Sequence, residues 1–137
     1  MWQKMGSNEM NTGSEFLQIK KLFDLLIIQS KHSFPVPYHS IDAPTNHGVY
    51  IIYKKEEVLH VGRTIRGIEG LRQRLKNHLH GKSSFTRAYL KGIGGKLREN
   101  IYAFRYLEVS DPRERALLEA YSIGILCPKH IGVGVGK

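Results

Sequence analysis

Five side chains in this sequence need a chemical explanation: Tyr50, His60, Arg74, His78 and Glu119. Glu119 falls between Ala116 and Cys127, where the other ionisable groups are Tyr121 and Cys127 itself. At about 100° per residue it projects beside Ala116, Ala120 and Ile123, while Leu117, Leu118, Ile125 and Leu126 make the helix apolar nearly all round. A carboxylate on such a helix is expected to be buried, which is costly unless it is paired with a cation or bound to a metal. The nearby Glu114 has a simpler reading, as the partner of an N-cap at Asp111.

Arg74 and His78 are four apart and border Leu71 and Leu75, while Arg72, Gln73, Lys76 and Asn77 point elsewhere. One arginine therefore faces inward. It either pairs with Glu119 or clamps a phosphate with two N–H donors, stabilising the charge that builds during phosphodiester cleavage. His80 turns away, and its spacing of two from His78 is wrong for a pair of helical metal ligands. Tyr50 and His60 lie on two apolar runs joined by Lys54 to Glu57, and a turn centred on Lys55 would set them directly opposite each other. A half-buried strand tyrosine without chemistry is the plain alternative. If His60 instead shares a proton with Tyr50, activity should rise through a pKa of about 6 to 7, absent a strong perturbation, as the imidazole becomes neutral.

The elements that position these groups can be read in order. Residues 1–14 are polar and read as a flexible leader, with Met10 as an alternative start. Phe16, Ile19, Leu22, Phe23, Leu26 and Ile27 recur at helical spacing, predicting an amphipathic helix from Ser14 to Gln29 that covers one side of the domain. Pro35, Pro37 and Pro44 mark a linker, so residues 15–46 form a helix and linker packed on the domain that begins at residue 47. Strands are expected at 48–53 and 58–62, helices at 70–80 and from Ser84 to Lys91, a break at Gly92 to Gly95, and a third strand at 101–109. The break lacks the spacing of a Walker phosphate loop and reads as a turn. Asp111, Pro112 and Glu114 open a last helix that runs to Leu126 and is stopped by Pro128, and residues 132–137 read as a flexible tail. The expected class is α+β: a small three-stranded antiparallel sheet flanked by helices, with an extra helix at the N-terminus.

Gly48-Val49-Tyr50, His60-Val61-Gly62, Leu71-Arg72-Gln73-Arg74 and Leu118-Glu119 with Pro128 stand in an order and spacing that resembles the GIY-YIG nuclease family, over residues 47–131. The resemblance implies a divalent-metal-dependent endonuclease that hydrolyses DNA phosphodiester bonds. Tyr50 would help deprotonate water, Arg74 would be catalytic, and His78 matches a histidine found in some members. Glu119 would hold a single divalent ion, and an oxygen ligand suits Mg²⁺ or Mn²⁺. His60 replaces the usual second tyrosine, and Ile131 stands where relatives often carry Asn, with His130 beside it. These departures leave a catalytically weakened DNA- or RNA-binding module of the same fold as the alternative. A basic scaffold that binds a protein through the N-terminal helix is a third reading.

Twenty-one Lys and Arg against twelve Asp and Glu give a formal charge of +9. That charge suits a phosphate-binding surface, with Arg63, Arg66, Arg72, Lys76 and Lys82 expected to meet DNA. Cys127 is the only cysteine, which excludes an intrachain disulfide and a Cys-based zinc cluster. There is no signal-peptide run and no stretch near the roughly 18 apolar residues of a membrane span, so the cytoplasm is the expected compartment and a membrane is not an expected partner.

Overall fold

The computed structural model describes residues 2–65 and 69–132, with side chains from residue 13 onward. In chain order the elements are α1 (Trp2–Ile27), β1 (His32–Ser33), β2 (Gly48–Lys54), β3 (Glu57–Arg63), α2 (Gly70–Leu79), α3 (Ser84–Ala88), a 3₁₀ turn (Gly94–Arg98), β4 (Tyr102–Glu108) and α4 (Pro112–Leu126). The strands form one antiparallel sheet in the order β1-β4-β2-β3. The α+β class is as expected, with one strand more than the sequence shows. His32 and Ser33 pair with Phe104 and Ala103, and a two-residue strand ahead of Pro35 is too short to leave a periodic signal.

Helical backbone begins at Trp2, where a flexible leader was expected, and α1 ends at Ile27 rather than Gln29. Gly6, Asn8, Asn11 and Gly13 are poor helix formers. Extending an existing helix costs far less than starting one, and the stretch continues the amphipathic segment behind it. The short helix after Ser83 stops at Ala88 rather than Lys91, because the chain turns through a left-handed Lys91 (φ 55°). Gly132 apart, the expected tail lies outside the described residues.

β2 is central and buried on both faces, so alternate residues divide between two cores. Tyr50 and Ile52 join Leu71, Leu75, Phe85 and Phe104 beneath α2 and α3. Val49, Ile51, Tyr53 and Val61 join Ile19, Phe23, Leu26 and Leu118 beneath α1 and α4. The N-terminal helix therefore closes the second core, and none of the helices is long and apolar enough to cross a membrane among the described residues. β3 is the edge strand, and its first half is covered where the backbone N–H groups of Lys129 and His130 donate to the carbonyls of Val58 and Leu59 (3.2 and 2.8 Å). Its second half, from His60 to Arg63, stays open between α2 and α4.

Candidate active site

A cleft of about 330 Å³ runs over that open edge, and its lining includes His60, Gly62, Arg63, Arg74, Glu119 and Ile131. The hairpin brings Tyr50 to it in a register that differs from the expectation. Tyr50 pairs with Gly62 and Ile52 with His60: the turn falls between Lys55 and Glu56 rather than on Lys55, which shifts the register by one, and a bulge between Ile52 and Tyr53 adds one more residue to β3. Tyr50 and His60 therefore sit diagonally on one face, with ring centroids 6.1 Å apart, instead of directly opposite. The diagonal gives the phenol its room. A Cβ on Gly62 would fall on the hydroxyl of Tyr50, so only glycine lets the ring cross under β3.

Tyr50 is fully buried, and its hydroxyl lies behind Gly62 and Arg74. Nε of Arg74 donates to that oxygen at 3.2 Å, and Nε2 of His78 lies 2.5 Å from it. The inward pair on α2 thus converges on one atom. Neighbouring hydroxyls settle the tautomer of His78. Thr86 Oγ1 donates its only proton to the carbonyl of His78 (2.7 Å), so the Ser83 hydroxyl is the donor to Thr86 Oγ1 (3.0 Å). Ser83 Oγ, already accepting from the Thr86 amide (3.1 Å), is then the acceptor for His78 Nδ1–H at 2.6 Å. The lone pair of His78 is left on Nε2, and Tyr50 donates to it. Ser83 and Thr86 were not singled out from sequence; the signal available was Ser83 as the N-cap of α3, a role it also fills.

Burial pushes the Tyr50 phenol up to about 12, against the opposing pull of the Arg74 charge and hydrogen bond. His60 is driven down to about 3, chiefly by burial and then by the positive charges of His130 and Arg74. His78 is held well below the usual histidine range, again by burial first and by His60, Arg74 and His130 after it. The strong perturbation that would move His60 away from 6 to 7 is present: its ring is stacked on Phe85 (centroids 4.9 Å) and buried. His130 stands where a substitute for the missing Asn was sought, with Nδ1 3.1 Å from Nδ1 of His60. Ile131 is half exposed at the cleft, and Nε2 of His60 is buried without a partner.

Glu119 is not buried as its apolar helix suggests. Its side chain keeps 25% of its exposure, because α4 turns this position toward the open edge of β3 while Leu118 and Ser122 enter the core. Its cation is Arg63 rather than Arg74, with Nε donating to Oε1 at 2.9 Å. Arg63, expected on an open surface, is thus a wall of the cleft. Oε2 of Glu119 accepts no hydrogen bond from the described residues, and no cluster of three or more His, Cys, Asp or Glu stands among them that could hold a metal ion. A lone carboxylate oxygen fits a hard divalent ion that keeps most of its waters, the habit of Mg²⁺. Of the other basic residues expected at DNA, the three that are described lie apart from the cleft. Arg72 and Lys76 are on the far flank of α2, Lys82 is exposed beyond its end, and Arg66 lies outside the described residues.

The model of the GIY-YIG catalytic domain matches residues 46–128. This chain belongs to the GIY-YIG family. The match spans both tripeptides, α2 and Glu119, so the family's pattern and the cleft are the same part of the molecule. Among solved structures the chain is similar to the GIY-YIG N-terminal endonuclease domain of UvrC from Thermotoga maritima bound to magnesium, its catalytic divalent cation, at 26% identity over 64% of this chain and 85% of that one, with a TM-score of 0.47. Two point mutants of that domain, each bound to its catalytic divalent cation, match at the same identity over 64% of this chain and 84% of theirs, with a TM-score of 0.47. No curated protein matches the sequence.

Proposed function

We propose that this GIY-YIG protein is a divalent-metal-dependent endonuclease that hydrolyses DNA phosphodiester bonds. The observation that carries the reading is the Tyr50 hydroxyl, held between Nε of Arg74 and the lone pair of His78 at the back of a cleft that also holds Glu119. A phenol with a pKa near 12 is no standing base. It works as a relay: as its oxygen takes a proton from the attacking water, its own proton passes to His78 Nε2. The new imidazolium is tolerated for the length of the step because Nδ1–H already donates to Ser83. The Arg74 bond to the phenol oxygen stabilises charge there, and the two terminal nitrogens of Arg74, free among the described residues, are available to a phosphate. The water oxygen bonds to phosphorus and the bond to the 3′ oxygen breaks; that oxygen leaves as an alkoxide and takes a proton from solvent water in the open cleft, giving a 5′-phosphate and a 3′-hydroxyl. Glu119 would hold the divalent ion through Oε2, and such an ion supplies stabilisation of the charge on the leaving oxygen. His60, neutral and stacked, positions Tyr50's surroundings rather than moving a proton.

Supercoiled plasmid incubated with Mg²⁺ or Mn²⁺ should be nicked, and chelator should stop it. Tyr50→Phe and Glu119→Gln should each leave the plasmid intact. The Gln variant should unfold within about 1 kcal/mol of wild type, since a half-exposed ion pair contributes little more. Nicking by Glu119→Gln at the wild-type rate removes the metal assignment. Binding of DNA with no metal-dependent nicking favours the binding-module alternative.

A further inference from the structure

A second cleft, of about 540 Å³, lies across α2 from the first, between the loop at Pro37 to Ile41 and the helix. On this flank Arg72 and Lys76 point the opposite way from Arg74 and His78, and Arg98 reaches in from the 3₁₀ turn. Two of these cations are set in place by backbone carbonyls. Arg72 Nε donates to Ala43 O at 3.0 Å and Arg98 Nη1 to Pro35 O at 2.5 Å, so each guanidinium is oriented with N–H groups left over. Neither is in an ion pair with a described carboxylate, and no carboxylate lines the cleft. Two carboxylates are adjacent in sequence to lining residues: Asp42 is taken by His32 at 3.0 Å, and Glu99, exposed beside Arg98, is in no ion pair with a described cation.

Tyr38 lines the same cleft and is unexplained by the fold. Its ring is fully exposed, at 105% relative exposure, so it adds nothing to either core. Its backbone is left-handed, with φ 69°. The amide of His39 donates to Val36 O at 3.2 Å, which closes a four-residue turn with Pro37 second and Tyr38 third. Pro suits the second place of a type II turn, and the third asks for Gly or Asn, so a tyrosine there is strained. Strain and exposure together hold an aromatic face in water in the same cleft as two oriented guanidinium groups and Lys76.

We propose that this cleft is a second nucleic-acid site, which takes an unpaired nucleotide of the substrate, stacking its base on Tyr38 and holding its phosphate with Arg72, Lys76 and Arg98. The inference rests on the nuclease reading and deepens it. A helix is about 10 Å across, roughly three nucleotides of travel along a strand, so the unpaired nucleotide would lie a few positions from the phosphate cut beside Arg74. The substrate is then duplex DNA with a single-stranded extension, gap or branch close to the cleavage point.

Fluorescence anisotropy on a labelled blunt duplex, and on the same duplex carrying a short oligo-dT extension, tests this. Wild type should bind the extended duplex roughly 5- to 150-fold more tightly, the range expected of one stacked base. Tyr38→Gly should erase that preference without lowering the unfolding temperature, since glycine suits the turn. Tyr38→Trp should keep the preference. Equal affinity of wild type for the two duplexes, or a preference that survives in Tyr38→Gly, overturns the proposal while leaving plasmid nicking untouched. Failure of wild type to bind or nick any DNA sinks the nuclease reading as well.

Discussion

Tyr50, His60 and His78 are three titratable rings on one buried patch, and each is held in its neutral form. Their pKa shifts set two expectations. In the proposed relay His78 must accept from Tyr50, so both must start neutral, and they already are across the neutral range. The rate of nicking should show no ionisation at about 6 to 7 from His60, and His60→Ala should lose activity without changing the shape of the pH profile. Stability should respond where activity does not. An unfolded histidine protonates below about 6.5, while folded His60 stays neutral to about 3, so the unfolded chain binds more protons in that window. Each buried imidazole should therefore cost up to about 1.4 kcal/mol per pH unit as pH falls below about 6.5. Denaturant melts from pH 7 to pH 4 measure the slope; a flat curve would mean that the two rings are open to protons in the folded protein.

At the scale of elements, the site depends on where two strands cross a helix. The bulge after Ile52 moves Gly62 opposite Tyr50, and the missing Cβ is what lets the hydroxyl reach α2. Gly62→Ala should therefore cost about 1–3 kcal/mol through overpacking and should push the phenol off His78. Nicking should fall at least tenfold under conditions where the variant is still folded. Gly124 makes the contrast: it lies in the interior of α4, and an added Cβ meets nothing within 4 Å. Gly124→Ala should raise stability by about 0.5–1 kcal/mol and leave activity alone. Similar effects of the two substitutions on both readouts would contradict this account of β3. On α2 the division of labour is by flank, with Arg74 and His78 turned to one cleft and Arg72 and Lys76 to the other.

For the whole molecule the relevant quantity is a formal charge of +9, only part of which is neutralised locally. Lys31, Arg63, Arg113 and Lys129 each have a carboxylate partner, whereas Arg72, Arg74, Lys76 and Arg98 have none among the described residues. These four line the two clefts on either side of α2, so a DNA strand crossing the helix would meet cations throughout. Duplex affinity should fall by about a thousandfold between 50 and 200 mM salt if about six phosphates are contacted. A log–log slope near zero would place the positive charge outside any DNA contact. The opposite face of the sheet is closed by the apolar sides of α1 and α4, so one cleft opens at the edge of β3 between α2 and α4 and the other on the far flank of α2.

Local regularities were enough to read much of this from the sequence. The spacing of four put Arg74 and His78 on one side of α2, and Asp111 with Pro112 marked the start of α4, where Asp111 accepts the Glu114 amide at 2.9 Å. These follow from the helix period and from the first turn of a helix, which act over a few residues. Features that depended on distant parts of the chain were decided only by the fold. The pairing of Tyr50 with Gly62 rests on one extra residue in a bulge, and the hydrophobic pattern hardly changes with it. Glu119 belongs to an apolar helix, yet stands at a cleft with Arg63 because the edge strand ends beside it. The protonation of His60 was open in the sequence, which shows an imidazole, and only packing shows how far it is buried. Periodicity determines which way a side chain points; the partner it meets, and the charge it can carry there, are set by the segments brought against it from elsewhere in the chain.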